Sequence, residues 1–152
     1  MKLKAKFKVS DLARDLDMKV SQIEQMIQNE LVYIGLEFVR NARIQADFKD
    51  HTGNLRSSIG FMLLKNGRPV FEDFQLSQKG TDRKTGRDTA WEYAFAHAKS
   101  ITGFVLICVA GMEYAVFVEA NGFDVITSSA LKAEDNLTKD LEKLNKLLNQ
   151  KK

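Results

Sequence analysis

The sequence predicts a single α+β domain: an antiparallel sheet with a long N-terminal helix, a short middle helix and a C-terminal helix packed on it. Three observations predict it. Val20, Ile23, Ile27, Leu31, Ile34 and Phe38 recur at spacings of three and four, which places them on one helix face. Asn66-Gly67 separates two strand-like runs and favours a tight hairpin. Ile126, Ala130, Leu137, Leu141, Leu144 and Leu148 make a second, narrower helical stripe.

Each element follows in order. Met1, Leu3, Ala5, Phe7 and Val9 alternate with Lys2, Lys4, Lys6 and Lys8, the period of a strand with one wet face. A lysine face suits an edge strand, because charge discourages stray pairing. Ser10 and Asp11 offer caps to the long helix, which runs to about Phe48. Gly35 weakens that helix by about 1 kcal/mol relative to alanine. Tyr33, Leu36 and Val39 lie off the main stripe, so more than one side of the helix is expected to be covered.

His51-Thr52-Gly53-Asn54 reads as a turn, then Leu55 to Lys65 as a strand and Val70 to Leu76 as its hairpin partner. Ser77 to Asp88 holds no apolar residue and two glycines, so it reads as a long exposed loop. Thr89 and Glu92 form a capping box for a short helix ending near Ser100. Thr102 to Ala110 reads as a buried strand, Gly111-Met112-Glu113 as a turn, and Tyr114 to Ala120 as a further strand.

Size and composition set limits on function. The 152 residues fit one domain, with 44% apolar and 28% charged residues. A net charge of +3 does not by itself argue for nucleic acid. The one cysteine, Cys108, cannot make an internal disulfide. The first residues lack the continuous apolar core of a signal peptide. Phe104 to Ala110, the longest apolar stretch, is far below the ~20 residues of a bilayer span. No membrane contact is expected.

Reactive groups are few. His51 and His97 lack a second ligand at metal spacing, so no metal site is expected. Cys108 sits among Leu106, Ile107 and Val109, where a thiol is a small hydrophobe. Ser57-Ser58 lack the setting of a nucleophile elbow, and Gly80 to Gly86 lacks the Gly-Lys-Ser/Thr ending of a P-loop. No catalytic residue and no cofactor are assigned. One sharper pattern remains. Leu12-Ala13-x-x-Leu16-Asp17-Met18, with Ile23 beyond, approximates a helix-turn-helix over residues 12–29, the alternative reading as a DNA-binding protein. Against it, Asp17 holds the turn position that favours glycine. Ser21 to Asn29 carries Glu24 and no basic residue, where phosphate contacts require one.

Two segments carry a family resemblance. Thr52-Gly53-Asn54-Leu55-Arg56-Ser57-Ser58-Ile59 resembles the threonine-glycine-x-leucine-arginine-x-serine-isoleucine signature of the tail-completion, or head–tail joining, proteins of long-tailed phages. Tyr114-Ala115-Val116-Phe117-Val118-Glu119 resembles that family's tyrosine-alanine-x-tyrosine-valine-glutamate strand. The resemblance spans about Val20 to Leu148, which leaves residues 1–19 as an N-terminal addition. Asn121-Gly122-Phe123-Asp124 stands where the family has a glycine-threonine turn and a proline-containing segment.

The resemblance implies a non-enzymatic virion assembly protein made in the host cytoplasm. It would act in the phage neck, as one subunit of a ring between head connector and tail tube. Its partners would be copies of itself, the connector and tail-tube proteins, without specific nucleic-acid contact. The free chain would be monomeric, with the ring forming on the neck. Under this reading Arg56 and Glu119 pair within or between subunits, and Lys79, Arg83, Lys84 and Arg87 meet a neighbouring subunit. The lysine-faced first strand is a further contact candidate.

Overall fold

In the computed structural model, residues 8–44, 46, 48–98 and 102–149 are described. The elements run α1 (Val9–Ile44), α2 (Asn54–Ser57), β1 (Ile59–Lys65), β2 (Arg68–Asp73), α3 (Arg83–Ala96), β3 (Phe104–Ala110), α4 (Ala115–Ala120) and α5 (Thr127–Asn149). The α+β class predicted above is the class observed. The three strands form an antiparallel sheet in the order β2-β1-β3.

The central strand β1 explains the layering. All of Ile59 to Leu64 is buried, the uninterrupted apolar run of a strand covered on both faces. Ile59 and Phe61 face a cluster with Phe38, Val39 and Ala42 of α1. Met62 and Leu64 face the opposite cluster with Ala90, Ala94 and Ala98. Ala90 and Ala94, four positions apart, let α3 lie close to the sheet, and Ala98 continues the row just past its end. On the other face, Gly35 does the same for α1. A Cβ there would collide with the Phe61 ring, so the glycine's cost in helix propensity is offset by close packing.

Helix α1 is longer than the body needs. Its stripe repeats every eleven residues: Val9-Leu12-Leu16, Val20-Ile23-Ile27, then Leu31-Ile34-Phe38. That spacing averages about 3.67 residues per turn, so the stripe stays almost parallel to a straight helix axis. Leu31, Ile34 and Phe38 are buried, while every residue from Lys8 to Gln22 is exposed. The first fourteen residues of α1 therefore project from the body as an arm about 21 Å long. Glu24, just inside the arm, bonds Lys65 at the end of β1 at 2.8 Å.

Helix α5 runs back along α1. Asn136 donates to Glu37 at 3.2 Å, and Asp140 meets Glu30 one to two turns further on, which raises the Glu30 pKa through their shared hydrogen bond. Ile126, just before α5, and Ala130 and Ala133 in its first turns also reach the sheet cluster. Ile126 and Ala130 of the C-terminal stripe thus pack on the core, while Leu141 and Leu148 are more than half exposed.

The hairpin is as expected, with Asn66 (φ 52°) and Gly67 (φ 74°) both left-handed, the geometry of a two-residue type I′ turn. Other expectations need correction. The strand expected from Leu55 begins at Ile59, because Asn54–Ser57 closes a helical turn. Thr52 Oγ1 and Asp50 Oδ2 accept the Asn54 and Arg56 N–H groups and favour that turn. The partner strand is Arg68–Asp73 rather than Val70 to Leu76.

The exposed loop of residues 77–88 ends at Asp82, since Arg83–Asp88 are the polar first turns of α3. The Thr89-Glu92 pair therefore lies inside a helix and caps nothing. Tyr114 to Ala120 is not a strand: Ala115–Ala120 is the helix α4, with Val116 and Phe117 76% and 70% exposed. The expected strand at Met1 to Val9 lies outside the described residues up to Phe7, and Val9 opens α1. The helix-turn-helix needs a break near Asp17, and α1 runs through that position unbroken.

The packing at Gly35 leads to an expected outcome. Gly35→Val overfills the α1–sheet contact and lowers stability by about 1–3 kcal/mol, read as a reduced urea midpoint with unchanged slope.

Candidate subunit-contact residues and the signature segments

The first signature segment lies in a knot of backbone. Gly53 takes a left-handed φ of 78°, and a Cβ there would strike the Lys79 carbonyl. Gly80 lies against the Thr52 carbonyl, and Gly86 of α3 against that of Asn54. Asp82 N–H donates to Thr52 O at 3.0 Å, and Asn54 Nδ2 to the Asp82 carboxylate at 3.1 Å. Thr85 Oγ1 also donates to Asp82, at 2.6 Å. These two side-chain bonds hold the Asp82 carboxyl below its usual range.

Ser57 and Ser58, both fully buried, complete the knot. Ser57 Oγ accepts the Ser77 N–H at 2.8 Å, and Ser58 Oγ donates to Leu55 O at 2.8 Å. Their hydroxyls are structural.

Within the chain Arg56 and Glu119 do not pair; each holds a separate set of backbone groups. The Arg56 guanidinium donates to the Arg43 carbonyl and, at 3.4 Å, to that of Ala46. It also lies 5.5 Å from the Phe48 ring centroid. These carbonyls belong to the last turn of α1 and the residues after it, where a helix leaves acceptors unpaired and favours a cation.

Glu119 does the reverse at α5. One carboxylate oxygen accepts from Val125 N (3.3 Å), Ile126 N (2.9 Å) and Thr127 N (3.0 Å), and Thr127 Oγ1 adds a bond at 3.0 Å. Burial works to raise the Glu119 pKa, but the bonds from Ile126, Thr127 and Val125 outweigh it and hold the carboxyl below its ordinary value of 4.5. Each signature charge thus seals one end of a helix.

The basic residues do not converge. Arg83 donates to the Ser77 carbonyl at 2.9 Å, and Arg87 bonds its neighbour Asp88 at 2.6 Å. Lys79 and Lys84 are exposed. Lys79 lines an open groove of about 440 Å³ with Arg43, Asp50 and Arg56, while Arg87 lines a separate one of about 500 Å³ with Glu72, Asp73 and Trp91. Both grooves are shallow and mixed in charge. Arg43 Nε is buried without a partner, although the same guanidinium donates to the Gln75 carbonyl.

The remaining reactive groups are placed as follows. Cys108 lies within β3, and burial pushes its thiol up to about 12, far from an activated nucleophile. His51 is exposed, and so is His97, whose Nδ1 lies 2.8 Å from the Tyr93 carbonyl. Among the described residues no group of His, Cys, Asp and Glu could hold a metal ion, and no helix is long and apolar enough to cross a membrane.

Sequence reasoning missed two features. One is the exposed arm of α1, whose eleven-residue repeat was legible back to Val9. The other is the outer edge of β3, which has no strand partner among the described residues, Ala115–Ala120 being helical. No protein-family model matches the chain, and neither the curated proteins nor the solved structures contain a match.

Two outcomes follow from the helix-end seals. Arg56→Ala and Glu119→Gln each cost about 1–3 kcal/mol at neutral pH. Their double-mutant cycle is additive within about 0.5 kcal/mol, because the groups are independent. The Glu119 contribution also has a pH sign. With its folded pKa depressed, it is fully present above the unfolded value near 4.5 and is lost as pH falls through the folded value. Urea melts at neutral pH should separate Glu119→Gln from the parent chain, and melts in stronger acid should bring them together.

Proposed function

We propose that this chain is a structural assembly protein of a phage neck, a ring subunit joining the head connector to the tail. The observation that carries this reading is where polar investment and exposed apolar surface lie. The signature residues Gly53, Asn54, Arg56, Ser57, Ser58 and Glu119 are spent on rigidifying the body. Beside single exposed residues such as Tyr33, Tyr93, Leu141 and Leu148, three features leave apolar surface uncovered. These are the α1 arm with Val9, Leu12, Leu16 and Val20, the helix α4 with Val116 and Phe117, and the bare edge of β3.

A rigid body with apolar elements standing outside it is suited to contact with other chains. Head-to-tail contacts between different surfaces close into rings when the rotation permits. Apolar elements kept separate also let a free subunit remain soluble until a neighbour covers them. In this reading the protein works by binding rather than turnover, and its partners are its own copies and the proteins above and below the ring.

The test is assembly. The purified chain, mixed with connector and tail-tube proteins from the same genome, should enter a complex with several copies per connector by native mass spectrometry. Negative-stain images should show an added ring on the connector. A chain that stays off both partners at micromolar concentration, or is needed for no step of tail joining, sinks the reading.

A further inference from the structure

The two edges of the sheet are built differently. The β2 edge is guarded: Pro69 has no N–H to offer, Arg68, Glu72 and Asp73 are charged, and the register with β1 slips between Leu63 and Leu64. The β3 edge has none of these devices. Phe104-Val105-Leu106-Ile107-Cys108-Val109-Ala110 carries no charge and no proline, and it pairs residue for residue with β1 along its length.

The hydrogen-bond phase shows which groups are free. Asn66 N–H donates to Gly103 O at 2.8 Å, and Gly111 N–H to Ser58 O at 3.1 Å. By antiparallel alternation the odd-numbered residues between them face β1, so the N–H and C=O groups of Phe104, Leu106, Cys108 and Ala110 point outward. Among the described residues these groups have no backbone partner. All seven side chains are apolar, and only Val109 is fully buried.

We propose that residues 1–7 of one copy add as a fourth strand to the outer edge of β3 in a second copy. The donor's sequence has the required form. Met1, Leu3, Ala5 and Phe7 supply one apolar row, and Lys2, Lys4 and Lys6 on the other face leave the new outer edge charged. Strand addition of this kind satisfies backbone groups and covers alternate side chains together.

Geometry makes the addition intermolecular. The salt bridge from Glu24 to Lys65 marks where α1 passes the end of the sheet that also holds Phe104. Lys8 lies sixteen residues beyond Glu24 on an unbroken helix, about 24 Å further out. Seven extended residues reach about 24 Å at most. Folding back toward their own β3 would use that whole reach before a single pair formed. A β3 edge in another molecule is not subject to that limit. The contact is heterologous, strand of one copy to edge of the next, which is the arrangement a ring needs. The inference rests on the self-association in the proposed function and names the surfaces that make it.

The test uses the full chain carrying Phe7→p-benzoylphenylalanine, with heavy-isotope and light-isotope copies mixed before irradiation. The expected product joins residue 7 of one isotope to a peptide containing residues 104–110 of the other. A chain lacking residues 1–7 should keep the parent's thermal unfolding, yet self-associate at least about tenfold more weakly by analytical ultracentrifugation. Crosslinks confined to one isotope or falling away from β3 overturn the proposal, as does self-association unchanged by the deletion. If the truncated chain still forms rings on the connector, the strand proposal falls and the neck function stands. If crosslinks appear but the chain ignores connector and tail, the function falls alone.

Discussion

Close backbone approach around Gly53, Gly80 and Gly86 is the constraint on which the rest of the fold depends. Three peptide segments meet there without side chains between them, so the end of α1, the start of β1 and the start of α3 are fixed together. The hydrogen bonds among Thr52, Asn54 and Asp82, and between Ser57 and Ser77, are consequences of that approach. Any Cβ at these glycines would separate the segments and leave buried polar groups unpaired, a penalty larger than the glycines' own entropic cost.

From this point the layers follow. Once α1 and α3 lie on opposite sides of β1, its six buried residues must be apolar on both faces, and they are. Gly35 and the Ala90-Ala94-Ala98 row then bring each helix within packing distance of the sheet. Arg56 and Glu119 finish the body by neutralising a carbonyl-rich helix end and an amide-rich one. Charged residues in signature positions therefore serve as internal fasteners.

How much of this was legible in the sequence depended on periodicity. The helices α1 and α5, the Asn66-Gly67 hairpin and the strand β3 were legible as elements from their periodicity, although Val20, Leu141 and Leu148 of the two stripes are more than half exposed. Residues Arg83 to Asp88 were misread because an exposed first helical turn has no apolar residue to mark it. Tyr114 to Ala120 was misread because aromatic and β-branched residues favour strands only where a neighbouring strand exists. The partners of Arg56 and Glu119 were invisible for a different reason. Capping of a helix end by a residue far along the chain leaves no local spacing to detect.

The eleven-residue repeat of α1 has a mechanical consequence. Three helical turns hold almost eleven residues, so the apolar stripe of the arm keeps the same angular phase as the stripe rooted in the core. Inserting one residue between Gln22 and Leu31 would swing the arm about 100° around the axis, while inserting eleven would lengthen it with its heading nearly unchanged. The arm is thus a ruler whose length can be altered only in coarse steps, because its compass bearing is set by the same turns that set its reach.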